Sequence, residues 1–194
     1  MMTSVSYQQF QSALGDIIIC FARAESRFRA LVAATAGLSG DAAEIVLDKV
    51  SAGNLIKMIR QLGTLGFSEE ARSAIDRAAK LYEINGSNRN LFAHGHIGFV
   101  GIEGTSFAIR SKNHVGRNVS ARGWNIRYDE VVLIPRQIEC FDSYAAAVIA
   151  RIGQERAGDR LTLWPGQPSL PEDLSLRWFD FDDVFEGARE FLSE

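Results

Sequence analysis

Arg89, Asn90 and His94 are the side chains of this sequence whose types and spacing best suit chemistry on a phosphate group. Arg presents a planar fork of N–H donors that matches phosphate oxygens, and His can take up or release a proton near neutral pH. On a helix, Asn90 and His94 share one face because they lie four residues apart, whereas Arg89 lies about 140° around the helix from His94. We therefore expect either that Arg89 sits at a non-helical start or that a second copy of the segment completes the site.

The residues just before this segment predict that a new helix begins there. Gly86 is suited to end the preceding helix, and Ser87 and Asn88 are suited to cap the first free N–H groups of the next one. Because a helix N-terminus attracts anions, an Arg placed there would strengthen phosphate binding. Tyr82 and Asn85, just upstream, are further candidates to line the same site.

Apolar residues recur at spacings of three and four in the regions on either side of the motif, which predicts amphipathic helices. In the short helix after Ser39-Gly40-Asp41, we expect Ile45, Val46 and Val50 to face the core. Helices are expected over residues 6–36 with Gly37 at the end, after Ser39, after Ser51, from Ser68 to about Ile84, and from Arg136 to about Ala157.

Beyond Gly95 the spacing changes to the alternation that is typical of strands. Residues 96–112 predict a β-hairpin with its turn at Glu103-Gly104, and residues 122–128 predict a third strand. The segment therefore predicts a small antiparallel β insertion between the motif and the last long helix.

The pattern Arg89-Asn90-x3-His94, followed by Gly95 and preceded by several amphipathic helices, resembles the Arg-x4-6-His motif of the HEPN superfamily. The resemblance covers about residues 6–155. It implies a mainly α fold, an up-and-down helical bundle, which here carries the β insertion at about 96–128. We expect a HEPN-like domain over residues 1–157, followed over 158–194 by a Pro/Gly linker and an acidic C-terminal docking segment.

The resemblance also implies a function, that of a metal-independent endoribonuclease that needs no cofactor and acts as a homodimer in a toxin–antitoxin or anti-phage defence role. His94 would act as general base or acid when an RNA 2′-hydroxyl attacks the adjacent phosphate. Arg89 would stabilise the transition-state charge, and Asn90 would orient His94 or the phosphate. The products would carry 2′,3′-cyclic phosphate ends, and DNA, which lacks the 2′-hydroxyl, should not be cut.

Two other interpretations of the motif remain open. Some HEPN domains have lost catalysis, so the chain could be a non-catalytic module that binds RNA or a protein partner such as an antitoxin. Alternatively, the motif match is accidental and the chain is a plain helical interaction domain. In that case His94 should be buried away from any cleft.

The β insertion carries five bases and no acid between Gly104 and Tyr128. Such a run is either a solvated sheet face or a clamp for the RNA backbone. The candidate RNA-binding residues are His96, Arg110, Lys112, Arg117, Arg122 and Arg127. Residues 172–194 hold eight acids against two bases, and we expect this acidic segment to cover the basic insertion, within one chain or across a dimer.

Composition narrows the function classes further. The net charge of −3 means that any RNA-binding surface must be local. Two cysteines, Cys20 and Cys140, give neither a disulfide framework nor zinc spacing. No signal peptide and no apolar run of membrane-spanning length are evident, so we expect a cytoplasmic protein without membrane contact.

Overall fold

The structure is a computed structural model that describes residues 6–94, 96–100, 106–115, 118–159, 163–177 and 179–180. Of these, residues 7, 96–100, 106–115, 118–123, 125 and 179–180 are described by their backbone alone. The prediction of a mainly helical fold is confirmed. The helices are α1 Tyr7–Ala36, α2 Gly40–Leu47, α3 Ala52–Gly63, α4 Glu69–His94, α5 Tyr128–Val131 and α6 Ile134–Arg156. A 3-10 turn covers Leu174–Leu176.

Within the described ranges, four strands pair in antiparallel fashion in the order β1-β2-β3-β4. They are β1 His96–Val100, β2 Ser106–Val115, β3 Asn118–Arg127 and β4 Phe179–Asp180. β3 begins four residues before the predicted third strand, and Tyr128 belongs to α5. The predicted turn at Glu103-Gly104 lies outside the described residues.

The chain divides into two compact units. One comprises Met1–Ile18, Gly86–Ile134 and Glu172–Glu194, and we call it the motif unit because it contains Arg89, Asn90 and His94. The other comprises Ile19–Asn85 and Pro135–Pro171, and we call it the helical unit.

An aromatic stack forms the core of the helical unit. The ring of Tyr82 lies flat against Phe28, with centroids 4.0 Å apart, and is stacked against Phe21 at 5.6 Å. Phe141 of α6 tilts against Tyr82 at 5.7 Å. All four rings are buried, so this cluster ties α1, α4 and α6 together through apolar burial and ring contacts.

The ends of two helices match the sequence signals. Gly37 ends α1 with a φ of 72°, a conformation that glycine adopts without strain, and the N–H of Leu38 donates to the carbonyl of Ala33 at 2.9 Å. The Ser68 hydroxyl accepts a hydrogen bond from the N–H of Ala71 at 3.2 Å and so caps α4.

The prediction that Ile45 and Val46 face the core is wrong. Ile45 and Val46 are exposed, at 79% and 50%, while Leu47 is the buried residue of α2. The guanidinium of Arg29 donates to the carbonyls of Leu47 and Val50. These bonds and the burial of Leu47 set which side of this short helix faces inward.

The predicted helix break at Gly86-Ser87-Asn88 is also wrong, because α4 continues through it to His94. Asn88 does not cap a helix. Its side chain is buried and bonds to another segment, and Leu91 and Phe92 are buried one turn further on. Inward-facing residues at helical spacing on both sides of Gly86 stabilise a continuous helix by more than the helix-weakening effect of one glycine, about 1 kcal/mol.

No single helix among the described residues has both the length and the apolar character needed to cross a membrane. The bent pair Gln8–Ala36 and Gly40–Leu47, with a 112° angle between its helices, meets the test of length and composition only when the two are taken together.

Asn85 in α4 gives the first stability prediction. It is fully buried, and neither its amide nitrogen nor its oxygen has a hydrogen-bond partner among the described residues. An unsatisfied buried polar group costs about 1–3 kcal/mol. We therefore expect Asn85→Leu, which removes both groups at similar volume, to raise the free energy of unfolding by about 1–2 kcal/mol in chemical denaturation.

Asn88→Leu is the matched control for this prediction. Asn88 is buried in the same helix, but both of its amide groups are hydrogen bonded. The same substitution should therefore destabilise the protein at position 88. If Asn85→Leu lowers the unfolding free energy as Asn88→Leu does, the amide of Asn85 is satisfied and our account of it fails.

Candidate functional site

Arg89, Asn90 and His94 lie on the last two turns of α4, in the motif unit. Asn90 and His94 are exposed, and Arg89 is half-buried. The Nη1 of Arg89 donates a hydrogen bond to the Oδ1 of Asn90 at 3.0 Å. This bond holds the guanidinium beside Asn90, which shares a helix face with His94. A half-buried donor fork, an exposed amide and an exposed imidazole therefore lie on the last two turns of one helix.

The continuous course of α4 excludes one of the two arrangements expected for Arg89. Arg89 lies within the helix and not at a non-helical start. The idea that a helix N-terminus assists anion binding at Arg89 is therefore wrong. The other arrangement, in which a second copy of the segment contributes to the site, stays a prediction.

Tyr82 and Asn85 do not belong to the exposed surface around the motif. Tyr82 is only 2% exposed and lies in the aromatic core, and Asn85 is fully buried. The expectation that they line the site is wrong, because both positions fall on the buried side of α4 within the helical unit.

Asn88 holds the C-terminal segment, which we define as residues 172–177, against α4. Its Nδ2 donates to the carbonyl oxygen of Glu172 at 2.8 Å, and its Oδ1 accepts from the N–H of Leu174 at 2.8 Å. The amide thus donates one hydrogen bond to the backbone of the segment and accepts another from it. Sequence reasoning assigned Asn88 to a helix cap. Its spacing from Ile84 and Leu91 was the signal that it faces inward.

The rest of the C-terminal segment is fastened to the insertion. The indole N–H of Trp124 donates to the carbonyl of Ser175 at 3.1 Å, and Arg177 forms a 2.7 Å ion pair with Glu130 of α5. β4 then pairs with β3, with Asp180 opposite Arg122 in the register. The C-terminal segment and the insertion therefore contact each other within one chain, whereas the expectation that the acidic residues cover the basic ones stays a prediction, since the side chains of Arg110, Lys112 and Arg122 lie outside the described residues.

The basic residues of the insertion are placed mainly by strand register. His96 lies opposite Arg110 between β1 and β2, and Arg122 lies opposite Ser111 between β2 and β3. Successive positions along a strand belong to opposite faces of a sheet, and paired positions share a face. Arg122 pairs with Ser111, the residue after Arg110, so Arg110 and Arg122 stand at positions on different faces. The side chains of His96, Arg110, Lys112 and Arg122, and the whole of Arg117, lie outside the described residues.

Arg127 is the one candidate RNA-binding residue whose side chain is described. It is exposed, and its Nε donates to Asp129 at 2.9 Å. The hydrogen bond from Arg127 lowers the pKa of the Asp129 carboxyl. A phosphate that bound Arg127 would therefore have to compete with this neighbouring carboxylate.

Comparisons of the chain with models of known protein families, with curated proteins and with solved structures found no match. The site must therefore be judged on its own residues. Within the described ranges, no group of three or more His, Cys, Asp or Glu side chains is arranged to hold a metal ion.

Glu130 gives a prediction for pH dependence. Its carboxylate accepts from Arg177 and from the backbone N–H of Arg127, each at 2.7 Å. The hydrogen bond from Arg177 lowers the pKa of Glu130 below its ordinary value of 4.5. A lowered pKa in the folded state stabilises the protein above pH 4.5, and this stabilisation is lost as the pH falls through the folded-state pKa.

We therefore expect Glu130→Gln to destabilise the motif unit by about 0.5–1 kcal/mol at neutral pH, because the pair is partly exposed. The difference from the wild type should shrink as the pH falls through the lowered folded-state pKa of Glu130, because below that pKa both proteins carry a neutral side chain. Chemical denaturation across this range measures it. Glu139→Gln, an exposed carboxyl of α6, is the control. A Glu130→Gln deficit that persists unchanged at low pH would show that the ion pair with Arg177 is not its cause.

Proposed function

We propose that this chain is a HEPN-like endoribonuclease that cleaves RNA without a metal ion at a site built from Arg89, Asn90 and His94. The observation that carries the proposal is the solvent-exposed end of α4, where the guanidinium of Arg89 is bonded to Asn90 one turn from an exposed His94. The three side chains supply a phosphate-binding fork, a hydrogen-bonding amide and a group that transfers protons near neutral pH.

The reaction is a transesterification within RNA. The 2′-oxygen forms a bond to the adjacent phosphorus, the bond from phosphorus to the 5′-oxygen of the next nucleotide breaks, and a 2′,3′-cyclic phosphate and a 5′-hydroxyl result. A base must accept the proton of the 2′-hydroxyl, and an acid must protonate the departing oxygen. Arg89 would stabilise the negative charge that accumulates on the phosphate oxygens.

A dimer would satisfy both proton transfers. Each copy offers one exposed imidazole in the motif, whereas the reaction needs a base and an acid at the same time. Two copies would provide two His94 side chains, one to accept the proton of the 2′-hydroxyl and one to protonate the departing oxygen. The position of Arg89 about 140° from His94 on a regular helix points the same way.

The net charge of −3 favours a second candidate, a non-catalytic module that binds RNA or a protein partner. In this case the same polar surface would bind phosphates or a partner without proton transfer. A cytoplasmic location is a further part of the proposal, and a role in toxin–antitoxin or anti-phage defence is the part that follows from the HEPN resemblance.

The two candidates differ in what they do to RNA and DNA of the same sequence. The nuclease should cut single-stranded RNA and leave the DNA version intact, because DNA lacks the attacking 2′-hydroxyl. Binding of labelled RNA without cleavage, reduced in Arg89→Ala, would favour the non-catalytic module. Neither cleavage nor binding would reject both.

A further inference from the structure

Asn88 precedes the motif by one residue and is one of four buried polar or charged residues among those described. Its side chain is 1% exposed, so water cannot satisfy its amide. Both amide groups instead bond to the backbone of the C-terminal segment, on either side of Asp173. A buried amide that lost these partners would cost about 1–3 kcal/mol for each unpaired group.

Leu174 completes the attachment from the other side. It is 4% exposed, and its backbone N–H donates a hydrogen bond to the Oδ1 of Asn88. The segment is then held further along by Trp124 and by the ion pair of Arg177 with Glu130. α4, β3 and α5 therefore all fasten the same short stretch of chain, and Asn88 is the attachment point on the motif helix.

Arg89 follows Asn88 directly, and its Nε is shielded from solvent while its Nη1 reaches Asn90. The rotation of α4 about its axis decides where the guanidinium points. Since a buried amide with two 2.8 Å bonds to a fixed backbone resists such rotation, it would also hold Arg89 in place.

We infer that Asn88 is a positioning residue, which fixes the orientation of Arg89 by bonding α4 to the C-terminal segment. The inference rests on the proposed function, since the Arg89 that it positions is the phosphate-binding group of that proposal. It adds residues 172–174, which lie outside the stretch that resembles HEPN domains, to the elements that the site requires.

The test compares Asn88→Ala and Leu174→Ala with two matched controls. Leu176→Ala removes the same residue type from the same segment, but at a position that is 75% exposed. Ser87→Ala changes the neighbouring residue of α4. Asn88→Gln retains both amide groups and serves as the conservative variant. Circular dichroism and denaturation first establish that each variant is folded under the assay conditions.

The first readout does not depend on nuclease activity. The exchange of the Arg89 Nε–H with water, followed by NMR and assigned with Arg89→Lys, should be faster in Asn88→Ala and Leu174→Ala. It should match the wild type in both controls, with partial recovery in Asn88→Gln. If exchange is unchanged in folded Asn88→Ala and Leu174→Ala, Asn88 does not position Arg89, whatever the protein does to RNA.

The second readout is cleavage. Displacement of a phosphate-binding group by about 1 Å can cost 10²-fold in rate, so we expect kcat to fall about 10- to 100-fold in Asn88→Ala and Leu174→Ala, with KM changed less than 3-fold. Wild-type activity that is fully retained by both variants would overturn the inference and leave the nuclease standing. A wild type that cuts no RNA would instead reject the proposed function, and the NMR result alone would then decide the role of Asn88.

Discussion

His94→Ala is expected to lower the rate of RNA cleavage by about 10²- to 10⁴-fold, the usual contribution of one general acid or base. His94 is exposed at the end of α4, so its loss removes no core contact and should leave the stability of the protein nearly unchanged. The measurement is the single-turnover rate on an RNA substrate, with the unfolding midpoint as the check on structure.

The control for this substitution is His114→Ala, which removes a histidine outside the motif. It should cut RNA at the wild-type rate. A His94→Ala protein that cleaves as fast as His114→Ala would exclude His94 from proton transfer and with it the proposed mechanism.

Arg89→Lys is expected to lower kcat by about 10²-fold although the positive charge remains, which is the scale of losing one oriented donor to the developing charge. A lysine ammonium cannot reproduce the planar fork that bonds Asn90 and that would bind a phosphate in the proposed reaction. If simple charge attraction were the role of Arg89, the lysine would restore most of the activity.

Arg136→Lys, an exposed arginine of α6, is the matched control and should be indistinguishable from the wild type. The salt dependence of KM separates the two roles of Arg89 further, because charge attraction weakens with ionic strength whereas donor geometry does not. Near-wild-type kcat in Arg89→Lys, with KM strongly raised by salt, would reduce Arg89 to a general electrostatic contact.

Strong local signals in the sequence were sufficient to predict most helices. The stripe from Phe10 to Val32 predicted α1, and Gly37 and Ser68 predicted where helices end and begin. These signals are short-range, since each depends on residues within one or two turns of the boundary.

The errors arose where tertiary contacts outweigh local preference. Gly86-Ser87-Asn88 has the composition of a helix break, yet the bonds from Asn88 to Glu172 and Leu174 join residues more than 80 positions apart. No local pattern can reveal a partner at that distance. The prediction that Ile45 and Val46 face the core failed for a similar reason. The hydrogen bond from Arg29 to the carbonyl of Leu47, at the end of α2, could not be foreseen from the local sequence.

The sequence was sufficient to predict which residues form the candidate site, but not that Asn88 bonds the C-terminal segment beside it. Arg89, Asn90 and His94 were singled out by their types and spacing, and the structure brings Arg89 and Asn90 into a hydrogen bond. Asn88 was seen only as a cap, and the acidic segment only as a covering for basic residues. Their mutual bonds make the C-terminal segment part of the motif unit.

The most direct test of the central claim is analysis of the RNA ends produced by the wild type and by His94→Ala in the presence of EDTA. We expect the wild type alone to yield fragments with 2′,3′-cyclic phosphate and 5′-hydroxyl ends, because attack by the 2′-hydroxyl can give no other primary products. Cleavage that stops in EDTA, fragments that carry 5′-phosphates, or equal cleavage by both proteins would contradict the account.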